Sequence, residues 1–224
     1  MVPDGPTIDP AVDVAIPIFD RITALDAVGP YEVLSRVPGA RIRFIAERPG
    51  PYRTDQGALA LIADASLDEV PAPEVVVVPG GVGTRALLGE GPLLDWLRAA
   101  HATSLWTTSV CTGSLLLGAA GILRGLEATT HWGAMEELAR FGAMPVERRV
   151  VEQGKVITSA GVSAGIDMAL TLAARLAGDE VAQLIQLGIE YDPQPPFSAG
   201  STRTAPPEIL AKARAIRARM PAAG

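Results

Sequence analysis
A mostly parallel β-sheet covered on both faces by helices, built as one α/β domain, is the fold class this sequence predicts. Three observations lead there. Short Val- and Ile-rich runs alternate with longer helical stretches along the chain. At 224 residues the chain is long enough for one sizeable α/β core and short for two independent enzymatic domains. It has no internal repeat and no convincing linker, so residues 1–224 read as a single domain. Within it, residues 1–11 read as a loose leader and residues 192–224 as a proline-rich loop and C-terminal helix.

VDVAIPIF (12–19) is mostly apolar and reads as a buried strand. TALDAVGPYEVLSRVPG (23–39) reads as a helix with Pro30 in its first turn and its end marked by Pro38-Gly39. RIRFIAE (41–47) alternates polar and apolar residues and is a second strand. PYRTDQGALALIAD (51–64) has a turn signal at Asp55-Gln56-Gly57, which predicts an antiparallel hairpin on the sheet edge. EVVVVPGG (74–81) is the clearest buried strand and runs into a glycine loop. GPLLDWLRAAHA (91–102) is an amphipathic helix opened by Pro92. LWTTSV (105–110) is a strand, and TGSLLLGAAGIL (112–123) is a helix of small and apolar residues. EATTHW (127–132) reads as a strand and ERRVVEQGKVITSAG (147–161) as a hairpin. VSAGIDMALTLAARLAG (162–178) and DEVAQLIQLGIEY (179–191) are helices, and a proline-rich loop leads to the terminal helix.

Composition narrows the function classes. With 48% hydrophobic and 20% charged residues the chain is an ordinary globular one. A net charge of −6 argues against broad nucleic-acid binding, and the basic stretch AKARAIRARM reads as a solvated helix face. One cysteine rules out an internal disulfide framework and a cysteine-based zinc site. The apolar stretches are too short or too broken by glycine to span a bilayer. MVPDGPTIDP has neither the basic nor the apolar part of a signal peptide, so the expected location is the cytoplasm.

In an open α/β sheet the chemistry gathers where strands hand over to helices at their carboxyl ends. Four such segments converge here: LDAVGP, PGGVG, VCTG and SAGVSAG. Cys111 follows a strand directly, and the helix that begins at Thr112, Gly113 and Ser114 presents unpaired N–H groups that favour a thiolate. A nucleophile is one reading; a small hydrophobe capping a strand is the other. A nucleophile needs a proton partner. His101 ends an amphipathic helix and reads as a surface or capping residue. His131, in ATTHW, reads as a structural turn residue, with a role at the site left open. Because Thr112 follows the cysteine, no adjacent histidine can act as base, and attention moves to Asp26 in the apolar segment ALDAVGP. It is a helix cap or, beside a thiolate in a dry pocket, a carboxyl whose raised pKa lets it hold a proton. GVSAG (161–165) matches a serine-hydrolase elbow, but no histidine follows Ser163, so the motif fails its context.

The segments VCTGSLLLGAAGIL and ATTHW, together with LDAVGPYEVL, VVVPGGVG, GVSAGIDMALTLAA and IEYDPQPPFSAGS in this order, make the chain resemble the isocyanide hydratases of the ThiJ/PfpI superfamily. The resemblance runs over nearly the whole length. It implies a flavodoxin-like three-layer sandwich, a homodimer, and a cysteine nucleophile on an elbow, with no metal and no organic cofactor. Carried over, Cys111 matches the nucleophile, Asp26 its acidic partner and Thr112 the threonine beside it. Gly80 and Gly81 fall in the glycine loop that lines the substrate pocket. Gly161 and Val162 fall there too, with the Val162 N–H facing the sulfur. Ser163 stands where the family commonly has Thr, and the leader is longer than usual. Superfamily members with protease, deglycase or glyoxalase chemistry typically carry Glu on the first loop and often His after the cysteine, where this chain has Asp26 and Thr112.

The implied reaction is hydration of an isocyanide to an N-substituted formamide through a cysteine thioimidate, with Asp26 as general acid and base. The partners are then the isocyanide and water, with no nucleic acid and no membrane. Glyoxalase or deglycase chemistry on aldehydes and a cysteine-based redox sensor are the alternatives. A transcription regulator is a further one, against which stands the short stretch after IEYD, too short for a helix-turn-helix module.

Overall fold
Four consecutive valines, Val75–Val78, are all fully buried, which a strand achieves only when helices cover both of its faces. They form the middle strand of a seven-stranded sheet in the computed structural model, which describes residues 12–219. The expected leader lies outside the described residues.

In chain order the elements are β1 (Val12–Pro17), α1 (Ala24–Leu34), β2 (Ala40–Ala46), β3 (Gly50–Arg53), β4 (Ala60–Ala63), β5 (Ala65–Ser66) and β6 (Val75–Val78). A 3₁₀ turn (Val82–Leu87), α2 (Pro92–Thr103), β7 (Trp106–Val110), α3 (Gly113–Ala119) and β8 (Glu127–Ala128) follow. Then come a 3₁₀ turn (Trp132–Ala134), α4 (Met135–Ala139), β9 (Met144–Pro145), β10 (Val150–Gln153) and β11 (Val156–Ser159). The chain closes with α5 (Ala164–Ala177), α6 (Asp179–Gly188) and α7 (Pro207–Arg219).

The sheet order is β10-β11-β7-β6-β1-β2-β5. Every pair is parallel except β10 with β11. Helix α1 packs on α5 and α5 on α6, while α2 packs on α3 and α3 on α4. These two helix groups around one mostly parallel sheet are the expected flavodoxin-like three-layer α/β sandwich.

The structure differs from the sequence reading in four places. Pro30 sits in the middle of α1, six residues after Ala24, and not in its first turn. A proline there forfeits one helical hydrogen bond, and tertiary packing compensates, because its ring faces the bare backbone of Gly165 on α5. The segment LDAVGP is therefore helical, and Asp26 lies in the first turn of α1 behind the cap residue Thr23. The hairpin β3–β4 pairs only with itself, and the two residues of β5 form the sheet edge instead. EATTHW contributes only the two residues of β8; Thr129, Thr130 and His131 leave the strand and turn toward the cysteine.

Candidate active site
Cys111 is the pivot between β7 and α3, with φ at 55°. A non-glycine residue in this left-handed region costs about 1–3 kcal/mol and persists only when its surroundings over-determine it. Here they do. The Cys111 N–H donates to the carbonyls of Ser159 (3.2 Å) and Ala160 (3.0 Å) at the end of β11. Its carbonyl accepts from the Thr130 hydroxyl (2.9 Å) and the Ser114 hydroxyl (3.1 Å). Gly113 lets the next turn pass close to β6: a Cβ there would lie 2.1 Å from the Val78 carbonyl oxygen. Thr130 did not stand out in the sequence, and Gly113 did so only as part of the first helical turn after Cys111. A polar residue beside a histidine and a glycine two residues after the cysteine are too common to be signals alone.

Three residues surround the sulfur. The backbone N–H groups of Val162 and Thr112 and the Thr112 side chain lie close to it and favour its charged form. Val162 adopts φ of 24°, a strained value for a β-branched residue. The third neighbour is Asp26, which is completely buried. Its Oδ2 accepts from the Gly80 N–H at 2.9 Å. Its Oδ1 has no hydrogen-bond partner among the described residues, and the Cys111 thiol lies beside the carboxyl and favours its charged form.

Burial sets the electrostatics of this pair. Loss of solvent pushes the Asp26 carboxyl up to about 7, against the opposing hydrogen bonds from Gly80 and Cys111. It also pushes the Cys111 thiol up to about 12, and the Asp26 charge adds to that rise. The expectation of a resting thiolate therefore needs correction. Desolvation of a sulfur only 5% exposed opposes the charged form, and helix α3 behind it has only seven residues. Asp26 therefore titrates near neutrality while the thiol keeps its proton, and the single negative charge of the pair, once present, sits on the carboxylate.

The glycine loop lies behind the pair. The Gly81 N–H donates to Thr112 Oγ1 (2.9 Å), and the same hydroxyl donates back to the Gly81 carbonyl (3.1 Å). A Cβ on Gly80 would stand 2.5 Å from the Thr112 nitrogen and 2.9 Å from Asp26 Oδ2. These glycines thus hold Asp26 and Thr112 at close range, and they are not among the residues that line the adjoining cavity.

That cavity holds about 400 Å³ and is lined by Thr129, Thr130, His131, Trp132, Gly161, Val162, Ser163 and the segment from Gly200 to Arg203, with others. Its size suits a small ligand. Its wall reaches the neighbours of Cys111 through Val162 and through Thr130, whose hydroxyl bonds the Cys111 carbonyl, while Cys111, Asp26 and Thr112 themselves are not among its lining residues. Ser163 is occupied by Arg149 (3.3 Å). His131 accepts from the Gly133 N–H through Nδ1, capping a 3₁₀ turn, while His101 meets Thr107 at 2.8 Å far along α2. Among the described residues no cluster of three or more His, Cys, Asp or Glu side chains could hold a metal, and no helix is long and apolar enough to cross a membrane.

Comparison with known proteins places this geometry in context. The chain is 42% identical over 204 residues to the isonitrile hydratase of Pseudomonas putida, covering 91% of this chain and 89% of that one. A crystal structure of a ThiJ/PfpI family protein from Pseudomonas syringae superposes with a TM-score of 0.91 at 37% identity, covering 97% of this chain and 93% of that one. The HTH-type transcriptional regulator CdhR of Pseudomonas aeruginosa is 30% identical over 172 residues, which are 75% of this chain and half of that longer protein. Residues 12–175, which include the elbow, Asp26 and the glycine loop, match the DJ-1/PfpI family, and the chain belongs to it.

Proposed function
We propose that the protein is a cofactor-independent isocyanide hydratase that converts an isocyanide into an N-substituted formamide through a covalent thioimidate on Cys111. The observation that carries this reading is the buried Cys111–Asp26 pair, which holds one transferable proton between a soft nucleophile and a carboxyl pushed to about 7. The 42% identity to an isonitrile hydratase supports it.

The chemistry follows from that proton. As the terminal carbon of R–N≡C approaches, the thiol proton passes to Asp26 and the sulfur bonds to carbon. Asp26 returns the proton to the same carbon, giving R–N=CH–S–Cys111. The carboxylate left behind takes a proton from water as the water oxygen bonds to the imidate carbon, and the nitrogen gains a proton. Collapse breaks the C–S bond, the hydroxyl proton returns to the pair, and R–NH–CHO leaves. General acid and base steps of this kind contribute about 10²–10⁴-fold each. Thr112 orients the sulfur, held from behind by Gly81. The Val162 N–H stabilises the charge on sulfur as it develops. In the same reading the protein is a homodimer.

The test is direct. Purified protein and its Cys111→Ala variant are mixed with a simple alkyl isocyanide such as n-butyl isocyanide, and formamide is followed by NMR. Formamide from the parent and none from the variant is the expected result. A Cys111→Ala variant that hydrates at the parent rate removes the nucleophile. Consumption of methylglyoxal with no isocyanide turnover would transfer the site to aldehyde chemistry.

A further inference from the structure
We infer that His131 is a substrate-contacting hydrogen-bond donor: its Nε2–H faces the cavity and engages the nitrogen of the adduct on Cys111. This inference rests on the hydratase reading and extends it. Four observations carry it. Nδ1 accepts from the Gly133 N–H (3.2 Å), so the proton of the neutral ring resides on Nε2. Nε2 has no hydrogen-bond partner among the described residues, and it is not among the polar atoms sealed away from the surface. His131 lines the cavity, together with Gly161 and Val162. The ring lies against the bare Gly161 backbone: a Cβ there would stand 2.8 Å from Cδ2 and 3.7 Å from Nε2. Gly161 therefore gives the imidazole its place one residue from the N–H that faces the sulfur. Burial, with Arg217 and Arg85 nearby, pushes the ring down to about 4, which keeps it a neutral donor.

The chemistry gives this donor a purpose. In R–N≡C the nitrogen carries no lone pair, so Nε2–H has nothing to bind in the substrate. Once sulfur bonds to carbon, the imidate nitrogen acquires one. When water adds, the C=N π pair moves onto that nitrogen, which takes the proton that Asp26 removed from water. Nε2–H donates throughout and keeps its own proton. A donor aimed at electrons that exist only after attack accelerates turnover without tightening ground-state binding.

The experiment compares His131→Asn with His131→Gln on n-butyl isocyanide. Asn keeps an oxygen that can accept the Gly133 N–H but loses the distal donor; Gln places an amide N–H near the position of Nε2. The Asn variant is expected to lose about a hundredfold in kcat with KM nearly unchanged, and to accumulate Cys111 adduct by intact-protein mass. The Gln variant is expected to recover most of the lost rate. An Asn variant with parental kcat overturns the assignment, as does one that loses activity through KM alone without adduct. If the parent itself forms no formamide, the hydratase reading falls first and takes this inference with it.

Discussion
In the proposed reaction the Cys111–Asp26 pair makes the activity a function of one proton. The reactive form carries a single negative charge, which appears as pH rises through the Asp26 value of about 7. The rate constant kcat/KM should therefore climb about tenfold per pH unit below that value and level off above it. Initial rates across the range decide this, and a profile flat on both sides of neutrality contradicts it. The same burial costs stability. Because the folded pKa lies above the ordinary 3.8, the contribution of Asp26 to stability is whole at acid pH and is lost as pH rises from 3.8 to about 7. Asp26→Asn should raise Tm by several degrees at about pH 8, and by less as pH falls toward about 4, while slowing turnover by about 10²-fold or more. A variant that melts earlier than the parent at the higher pH would show that the charge is not penalised. Much of this pair was legible in the sequence, since the only cysteine follows a strand and Asp26 stands in an apolar segment. The raised Asp26 value was legible too, but the proton resting on sulfur and the hydrogen bonds that oppose both shifts were not, because they involve groups distant in sequence such as Gly80 and Val162.

At the level of elements, the site is a junction of strand ends held by glycines and hydroxyls. Strand β7 carries Thr107, Thr108 and Ser109 in full burial. Thr108 donates to the Val76 carbonyl of the neighbouring strand (3.0 Å), and Thr107 meets Ser104 and His101. The Ser109 hydroxyl, by contrast, is buried with no partner among the described residues. An unpaired buried hydroxyl costs about 1–3 kcal/mol, so Ser109→Ala should leave Tm unchanged or raise it, with activity retained. A marked fall in Tm would mean that the hydroxyl is satisfied. Gly80→Ala should act in the opposite direction. Its methyl meets the backbone of Thr112 at 2.5 Å, so the loop must move, and Asp26 loses the N–H that holds it. The expected result is a protein destabilised by about 1–3 kcal/mol, with activity reduced far more than the loss of folded protein explains. Strand-to-helix alternation located this junction in the sequence. It did not reveal that Gly80 and Gly81 brace Asp26 and Thr112 from behind, because close backbone approach leaves no periodic signal. The interior Pro30 misplaced the start of α1 for a related reason: only the facing Gly165 makes it tolerable there.

Across the whole molecule, the alternation of elements was enough to anticipate the parallel sheet and its two helix layers. The edges were harder. Two-residue strands such as β5 and β8 are set by the partner beside them, not by their own composition. The proposed homodimer predicts a light-scattering mass twice the 23.3 kDa of one chain, and a mass of one chain would exclude it. The central claim concerns a bond made and broken on one sulfur, and a rapid-quench intact-mass measurement during a single turnover of n-butyl isocyanide tests it most directly. The account predicts a transient species heavier by the mass of the isocyanide, located on Cys111, that decays as formamide appears. Formamide produced with Cys111 unmodified throughout, and equally by Cys111→Ala, would contradict it.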